Sequence, residues 1–257
     1  MKAVWIIAKK EMRSLLASPL FWMITGICTL AWSLKFVKDV GDFAASSAMS
    51  GMQPGGDAAG PSLMYQVFAA HLSFVNFILI LAVAGFTMRL FAEETRNRTL
   101  DLLLTSPITS TQITLGKFLG GLLVAWTMVA IAAIYPISLA PIASFDWGPL
   151  VTAFIGLFLT VGCYVGIGMM MSSFTQHPVL AVIFGLIGNV MLWFVGLFLE
   201  GSEGPFWTAV KDQVTLGNHF TNFIKGGMNL SSLVYFASVM FICVFITQRV
   251  VESHRWR

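Results

Sequence analysis

The chain has 257 residues, of which 57% are hydrophobic and only 11% are charged, against about 25% charged in an average soluble domain. So few charges cannot cover the apolar surface of a soluble fold of this size, and the composition therefore excludes a soluble globular protein. It predicts an all-α polytopic membrane protein. The net charge of +3 is less informative than its distribution along the chain.

The N-terminal residues 2–16 (KAVWIIAKKEMRSLL) predict an amphipathic interfacial helix. On a helical wheel the basic residues share one arc and an aromatic and aliphatic arc lies opposite, which is typical of a helix lying on the membrane surface. Glu11 interrupts the apolar arc. The alternative is a cytoplasmic extension of the first span. The residues on which the interfacial helix depends are Trp5, Lys9, Lys10, Glu11 and Arg13.

Six transmembrane helices follow from the stretches that carry no charge, because an ionised side chain near the bilayer centre is costly and a span needs about 20 residues. One stretch of 53 uncharged residues, between Asp146 and Glu200, is too long for one helix and is divided by a polar break that ends at Pro178. The predicted spans are about 18–37, 64–90, 115–140, 148–172, 178–199 and 230–249.

The Lys and Arg residues predict the orientation of these spans. Eleven of the 15 basic residues fall in the N-terminus, the 89–117 loop, the 172–178 loop and the C-terminus, which six spans place on one side. Both termini are therefore predicted to be cytoplasmic, in a multi-pass protein of the bacterial inner membrane.

Two external segments are predicted. Residues 38–62 are rich in Gly, Ala and Ser and predict a flexible loop. Residues 200–229 carry Trp207, Phe220 and Phe223 among polar residues, which predicts short helices at the outer interface before the last span; a plain loop is the alternative.

Small residues at i, i+4 spacing predict close helix packing in two places. They are Gly116 with Gly120, and Gly162 with Gly166.

The cytoplasmic loop 89–117 has the most distinctive sequence. Glu93, Glu94 and Arg98 crowd its first half, and a leucine stripe then ends at Pro107. A short helix over 91–108 with one charged and one apolar face is suited to contact a soluble partner. A solvated charge cluster without a partner is the alternative.

The segment FAEETRNRTLDLLLTSPITSTQITLGKFLG resembles the coupling-helix region of type 2 ABC exporter permeases. IAKKEMRSLLASPLFWM, TLGNHFTNFIKGGMNLSSLVYFASV and VVESHRW resemble the GldF/NosY-like branch of that class. The resemblance implies a permease that forms a dimer, as a homodimer or a heterodimer, on two cytoplasmic ATPase subunits. It assigns ATPase coupling to Glu93, Glu94, Arg98, Thr99, Leu100, Asp101, Leu103, Leu104 and Pro107.

The ATP site is expected on another chain, because a P-loop needs Lys followed by Ser or Thr and no lysine in this sequence is followed by either. ATP and Mg are therefore expected on the partner ATPase, and this chain is expected to bind no metal or cofactor and to be no enzyme by itself. Its expected function is to couple ATP hydrolysis to export or to mechanical work, with a possible periplasmic or membrane accessory protein and with membrane lipid as partners, and no nucleic acid.

Three other functions were compared with this one. Glu93-Glu94-x-x-x-Arg98 matches the carboxylate motif of intramembrane CAAX-type proteases, but the histidine spacing departs from that family's pattern. An ion transporter needs an ionisable relay inside the spans, where His71 is the one well-placed histidine. A membrane scaffold or sensor is the third alternative. The apolar spans favour a lipid-like cargo, or mechanical work, over an ionic cargo.

Overall fold

The protein is predominantly helical in the part that the structure describes. A computed structural model describes residues 2–50, 62–99, 108–143, 145–198, 204, 207, 211 and 213–254. Of these residues 89% are helical and none lies in a β-strand. The predicted all-α fold class is confirmed.

The helices have the following bounds. They are α1 (Lys2–Leu16), α2 (Pro19–Ser50), α3 (Ala70–Arg96), α4 (Ser110–Ser138), α5 (Trp147–Ser173), α6 (Pro178–Phe198), α7 (Leu216–Ile224) and α8 (Leu230–Ser253). A π-helical segment, Met64–Ala69, runs directly into α3. In the described part of the chain, six helices are long and apolar enough to cross a membrane, namely α2, α3 with its π-helical start, α4, α5, α6 and α8.

Local sequence signals account for several helix ends. Proline at the first position begins α2 and α6, where the missing N–H would have no partner in the helix. Thr109 and Gln112 form a capping box at the start of α4, each backbone N–H donating to the other side chain at 3.3 Å. Asp146 caps α5 by accepting a 2.9 Å hydrogen bond from the N–H of Gly148.

The first span differs from its prediction. The loop predicted to begin at residue 38 is helical as far as Ser50, and Lys35 and Asp39, one turn apart in α2, form an ion pair. The 43–50 stretch lacks Gly and Pro and contains several alanines, so its helix propensity continues α2 beyond the apolar stretch.

The predicted coupling helix over 91–108 is not one continuous helix. Its first residues form the last turns of α3, which closes where Asn97 N–H donates to Glu93 O at 3.0 Å and Arg98 N–H to Thr95 O at 3.2 Å. Arg98 then adopts a left-handed conformation with φ of 56°, and this ends the helix.

The fourth span, α5, is the central helix of the bundle and packs against α3, α4, α6, α7 and α8. Gly162 and Gly166 lie against Met240 and Cys243 of α8, so this predicted close-packing pair does lie at a helix contact. In the first half of α5, Gly156 meets the side chain of Phe223, and a Cβ on Gly156 would lie 2.5 Å from the Cβ of that residue.

This contact predicts that Gly156→Leu destabilises the protein, because the added side chain would force α7 away from α5. We expect a loss of about 1–3 kcal/mol in the free energy of unfolding, the usual cost of overpacking, measured by denaturant titration in detergent. Gly26→Leu is the matched control, since a Cβ on Gly26 meets nothing within 4 Å. Equal stability of the two variants would contradict the packing.

Candidate functional site: a buried charge cluster

Helix α1 lies directly against α4, and two glycines make this close approach possible. A Cβ on Gly116 would lie 2.7 Å from Ile7 Cβ, and one on Gly120 would lie 2.7 Å from Glu11 Cβ and 2.9 Å from the carbonyl oxygen of Ala8. Any larger residue would therefore push the two backbones apart. The predicted packing role of the first glycine pair is realised, and the helix packed against it is α1.

Between these glycines Lys117 points into the protein and has no exposed surface. Its Nζ lies 3.2 Å from Glu11 Oε1 of α1 and 2.8 Å from Glu94 Oε2 of α3. Lys10 Nζ lies 3.1 Å from Glu11 Oε1 and 3.5 Å from Glu94 Oε1. We call these four residues the charge cluster, and it joins α1, α3 and α4.

The charge cluster is electrically balanced, with two ammonium groups and two carboxylates. The side chain of Lys10 is 57% exposed, whereas those of Glu11 and Glu94 are 7% and 15% exposed. Burial lowers the pKa of Lys10, but the two carboxylates outweigh it and raise the pKa above its usual value. A buried charge that loses its partner is strongly destabilising, so the charge cluster favours the arrangement in which all three helices meet.

Aromatic and polar contacts surround the charge cluster. The ring of Phe91 lies 5.2 Å from Lys117 Nζ, within the range of a cation–π contact. Arg89 Nε donates to Glu93 Oε2 at 2.7 Å, and the same guanidinium donates to the hydroxyl of Ser18, just before α2. The start of α2 is therefore attached to the same end of α3.

Only one of the predicted coupling residues that the structure describes lies in the charge cluster. Glu94 lies in the charge cluster, whereas Glu93 pairs with Arg89 one turn earlier. Arg98 and Thr99 are exposed, and the Thr99 hydroxyl donates to Glu94 O at 3.3 Å. The other predicted coupling residues lie outside the described residues: Leu100, Asp101, Leu103, Leu104 and Pro107.

Helix α1 has the predicted bounds, and its buried residues are Ile7, Ala8, Glu11 and Leu15. Trp5, assigned to the apolar arc, is 60% exposed, while Glu11, treated as an interruption, is 5% exposed. Lys9 and Arg13 are exposed as expected. Glu11 is the feature of the sequence that indicates this site, because an acidic residue on an apolar helix face requires a buried cation, which Lys117 supplies.

Several ionisable residues lie within the long helices, and Lys35 and Lys117 fall inside the predicted spans 18–37 and 115–140. The helices are longer than the charge-free stretches, so Lys117 lies within α4 and Lys35 and Asp39 lie within α2. His71 is fully buried between the rings of Phe36 and Tyr135, at centroid distances of 4.9 and 5.3 Å.

The arrangement does not favour a protease. Glu93 is ion-paired to Arg89 of the same helix and Glu94 to Lys117 of α4, so both carboxylates have structural partners. Among the described residues no group of three or more His, Cys, Asp or Glu side chains is arranged to hold a metal ion.

Comparison with known families agrees with this architecture. The family described as "ABC-2 family transporter protein" matches residues 5–247, which is nearly the whole chain. The protein belongs to this family. A comparison with curated proteins gives no match.

Membership makes the chain a multi-pass membrane protein and the membrane domain of an ABC transporter, that is, a permease subunit. ABC-2 permeases are generally not catalytic themselves, and the family implies an ATPase partner. The match begins within α1 and ends within α8, so all four members of the charge cluster lie inside the family region.

The charge cluster predicts that Lys117→Met destabilises the ABC-2 permease by about 3–5 kcal/mol, because two buried carboxylates lose their central cation. The free energy of unfolding in detergent measures the effect. Lys38→Met, which alters an exposed lysine of α2, is expected to be neutral. The triple variant Lys117→Met, Glu11→Met and Glu94→Met should regain most of the loss, since no unpaired buried carboxylate remains. If Lys117→Met and Lys38→Met are equally stable, the pairing is wrong.

Proposed function

We propose that the chain is the permease of an ABC exporter of the type 2 class, in the GldF/NosY-like branch, and that ATPase movement enters the spans through the charge cluster. The observation that carries the proposal is the pairing of Glu94 with Lys117 and Lys10. Glu94 stands in the last turns of α3, inside the segment that resembles a coupling-helix region.

The charge cluster suits this role because it joins α3 and α4, and the segment between these two helices connects the end of α3 to the start of α4. A force applied to that segment acts on the end of α3 and the start of α4 together. Salt bridges of Glu94 and Glu11 to Lys117 add α1 to the same unit. Packed helices move as rigid bodies rather than bending continuously. The movement is therefore transmitted to the spans and is not absorbed by a change of backbone conformation at Asn97 and Arg98.

The proposed assembly has two permeases and two ATPases, with ATP and Mg bound by the ATPases. Closed two-fold symmetry is the commonest arrangement of soluble homo-oligomers, and it gives each ATPase one coupling segment; a heterodimer of related permeases satisfies the same geometry. The apolar character of the spans supports a lipid-like cargo or mechanical work on an extracytoplasmic partner.

The excess of Lys and Arg on the side of both termini supports a cytoplasmic location for them, in the bacterial inner membrane. On this orientation, cysteines introduced at Ala58 and Ser202 should react with an impermeant thiol reagent added outside intact cells, and one at Asn97 should not. The native cysteines, Cys28, Cys163 and Cys243, are buried and give little background. Labelling at Asn97 in intact cells would show that the predicted orientation is wrong.

The coupling proposal is tested by Glu94→Gln in the purified permease–ATPase complex. The complex should assemble with two copies of each subunit by native mass measurement, while its permease-dependent ATPase activity falls about tenfold or more, the equivalent of about 1.4 kcal/mol. Glu93→Gln is the matched control, because Glu93 pairs with Arg89 and lies outside the charge cluster.

A conservative substitution separates the charge of Glu94 from the rest of its side chain. Glu94→Asp keeps a carboxylate at this position and should retain much of the activity that Glu94→Gln loses. If Glu94→Gln assembles and hydrolyses ATP like the unaltered complex, coupling does not pass through the charge cluster. A stable chain that binds no ATPase would overturn the assembly itself.

A further inference from the structure

The short helix α7 lies between the end of α6 and the start of α8, on the side of the membrane opposite to α1. One face of α7 is buried, with Leu216, Phe220 and Phe223 in the core. The opposite face carries Asn218, Thr221, Asn222 and Lys225. This face is entirely polar, although it stands beside an apolar span.

The polar face of α7 lines a depression rather than a flat surface. Its four residues border a space of about 390 Å³. A second space of about 310 Å³ shares Asn218 and Thr221 with the first and is walled by Trp193 and Phe194 of α6. The two spaces therefore form one groove, which we call the α6–α7 groove, with an aromatic end and a polar end.

The polar end of the α6–α7 groove offers hydrogen-bond donors. The side-chain amides of Asn218 and Asn222 and the ammonium of Lys225 make no hydrogen bond or ion pair within the described part of the chain. Lys211 also borders the groove, and none of the described residues that line it is acidic. Amide N–H groups and an ammonium with no acidic residue among the described residues around them are suited to an anion.

The aromatic end of the groove indicates its depth in the membrane. Trp193 lies near the end of the sixth helix, whose candidate span runs over Pro178–Gly196, and tryptophan at the end of a span lies at the level of the lipid headgroups. Below it, α6 presents an exposed apolar stripe. The residues of the stripe are Ile183, Phe184, Ile187, Val190 and Met191.

We propose that the α6–α7 groove binds the headgroup of an anionic phospholipid. Lys225 and the two asparagine amides contact the phosphate oxygens, Trp193 lies at the glycerol level, and the acyl chains follow the apolar stripe of α6. The polar groove lies at the end of α6 that follows the apolar stripe, and a polar site beside an apolar surface matches an amphipathic ligand rather than a free soluble anion.

The probe for this site is phosphatidylglycerol. The full-length chain is reconstituted in phosphatidylcholine nanodiscs with increasing phosphatidylglycerol, and lipid retained on the protein is counted by native mass measurement after release. Lys225→Gln should weaken phosphatidylglycerol binding about fivefold, the effect of one lysine at a membrane surface. Adding Asn218→Leu and Asn222→Leu should weaken it further, with binding of phosphatidylcholine unchanged.

Lys38→Gln is the matched control, because Lys38 is also exposed and lies on α2, away from the groove. It should retain phosphatidylglycerol like the unaltered chain. An equal loss in Lys38→Gln and Lys225→Gln would mean a diffuse charge effect and would overturn the site. Unchanged binding in the triple variant, or displacement of the lipid by millimolar inorganic phosphate, would overturn the assignment to a phospholipid.

Discussion

Lys117 has no exposed surface, and a buried ammonium is tolerated only when carboxylates surround it. In this chain those carboxylates come from two other helices, Glu11 of α1 and Glu94 of α3. Much of the organisation at this end of the protein follows from that requirement. Helix α1 has to lie against α4, Gly116 and Gly120 have to be small where it does so, and the end of α3 has to meet both.

A buried salt bridge contributes little net stability compared with apolar packing, but it discriminates strongly against arrangements in which one partner is missing. The charge cluster can therefore act as a register device for α1, together with the glycine contacts between α1 and α4. This property also suits a region that transmits force between helices, because sliding of α1 along α4 would separate opposite charges inside the protein.

The opposite end of the bundle is organised by aromatic and polar packing. His219 of α7 is hydrogen-bonded through both ring nitrogens, with Ser232 Oγ at 2.9 Å and Gln213 O at 3.0 Å, and its ring stacks on Tyr235 at 4.2 Å. These contacts hold α7 against the start of α8. They fix the buried face of α7, and as a consequence they also fix which of its residues line the α6–α7 groove.

The sequence by itself determined the six spans and the helical class, because the penalty for a charge in lipid is local and can be read residue by residue. It did not determine where helices end outside the lipid: α2 continues to Ser50 through helix propensity, and α3 ends at a left-handed Arg98. The coupling region was recognised by resemblance. The pairing of Glu11 with Lys117 was decided only by the tertiary structure, since the two residues are 106 positions apart and meet only when α1 packs against α4.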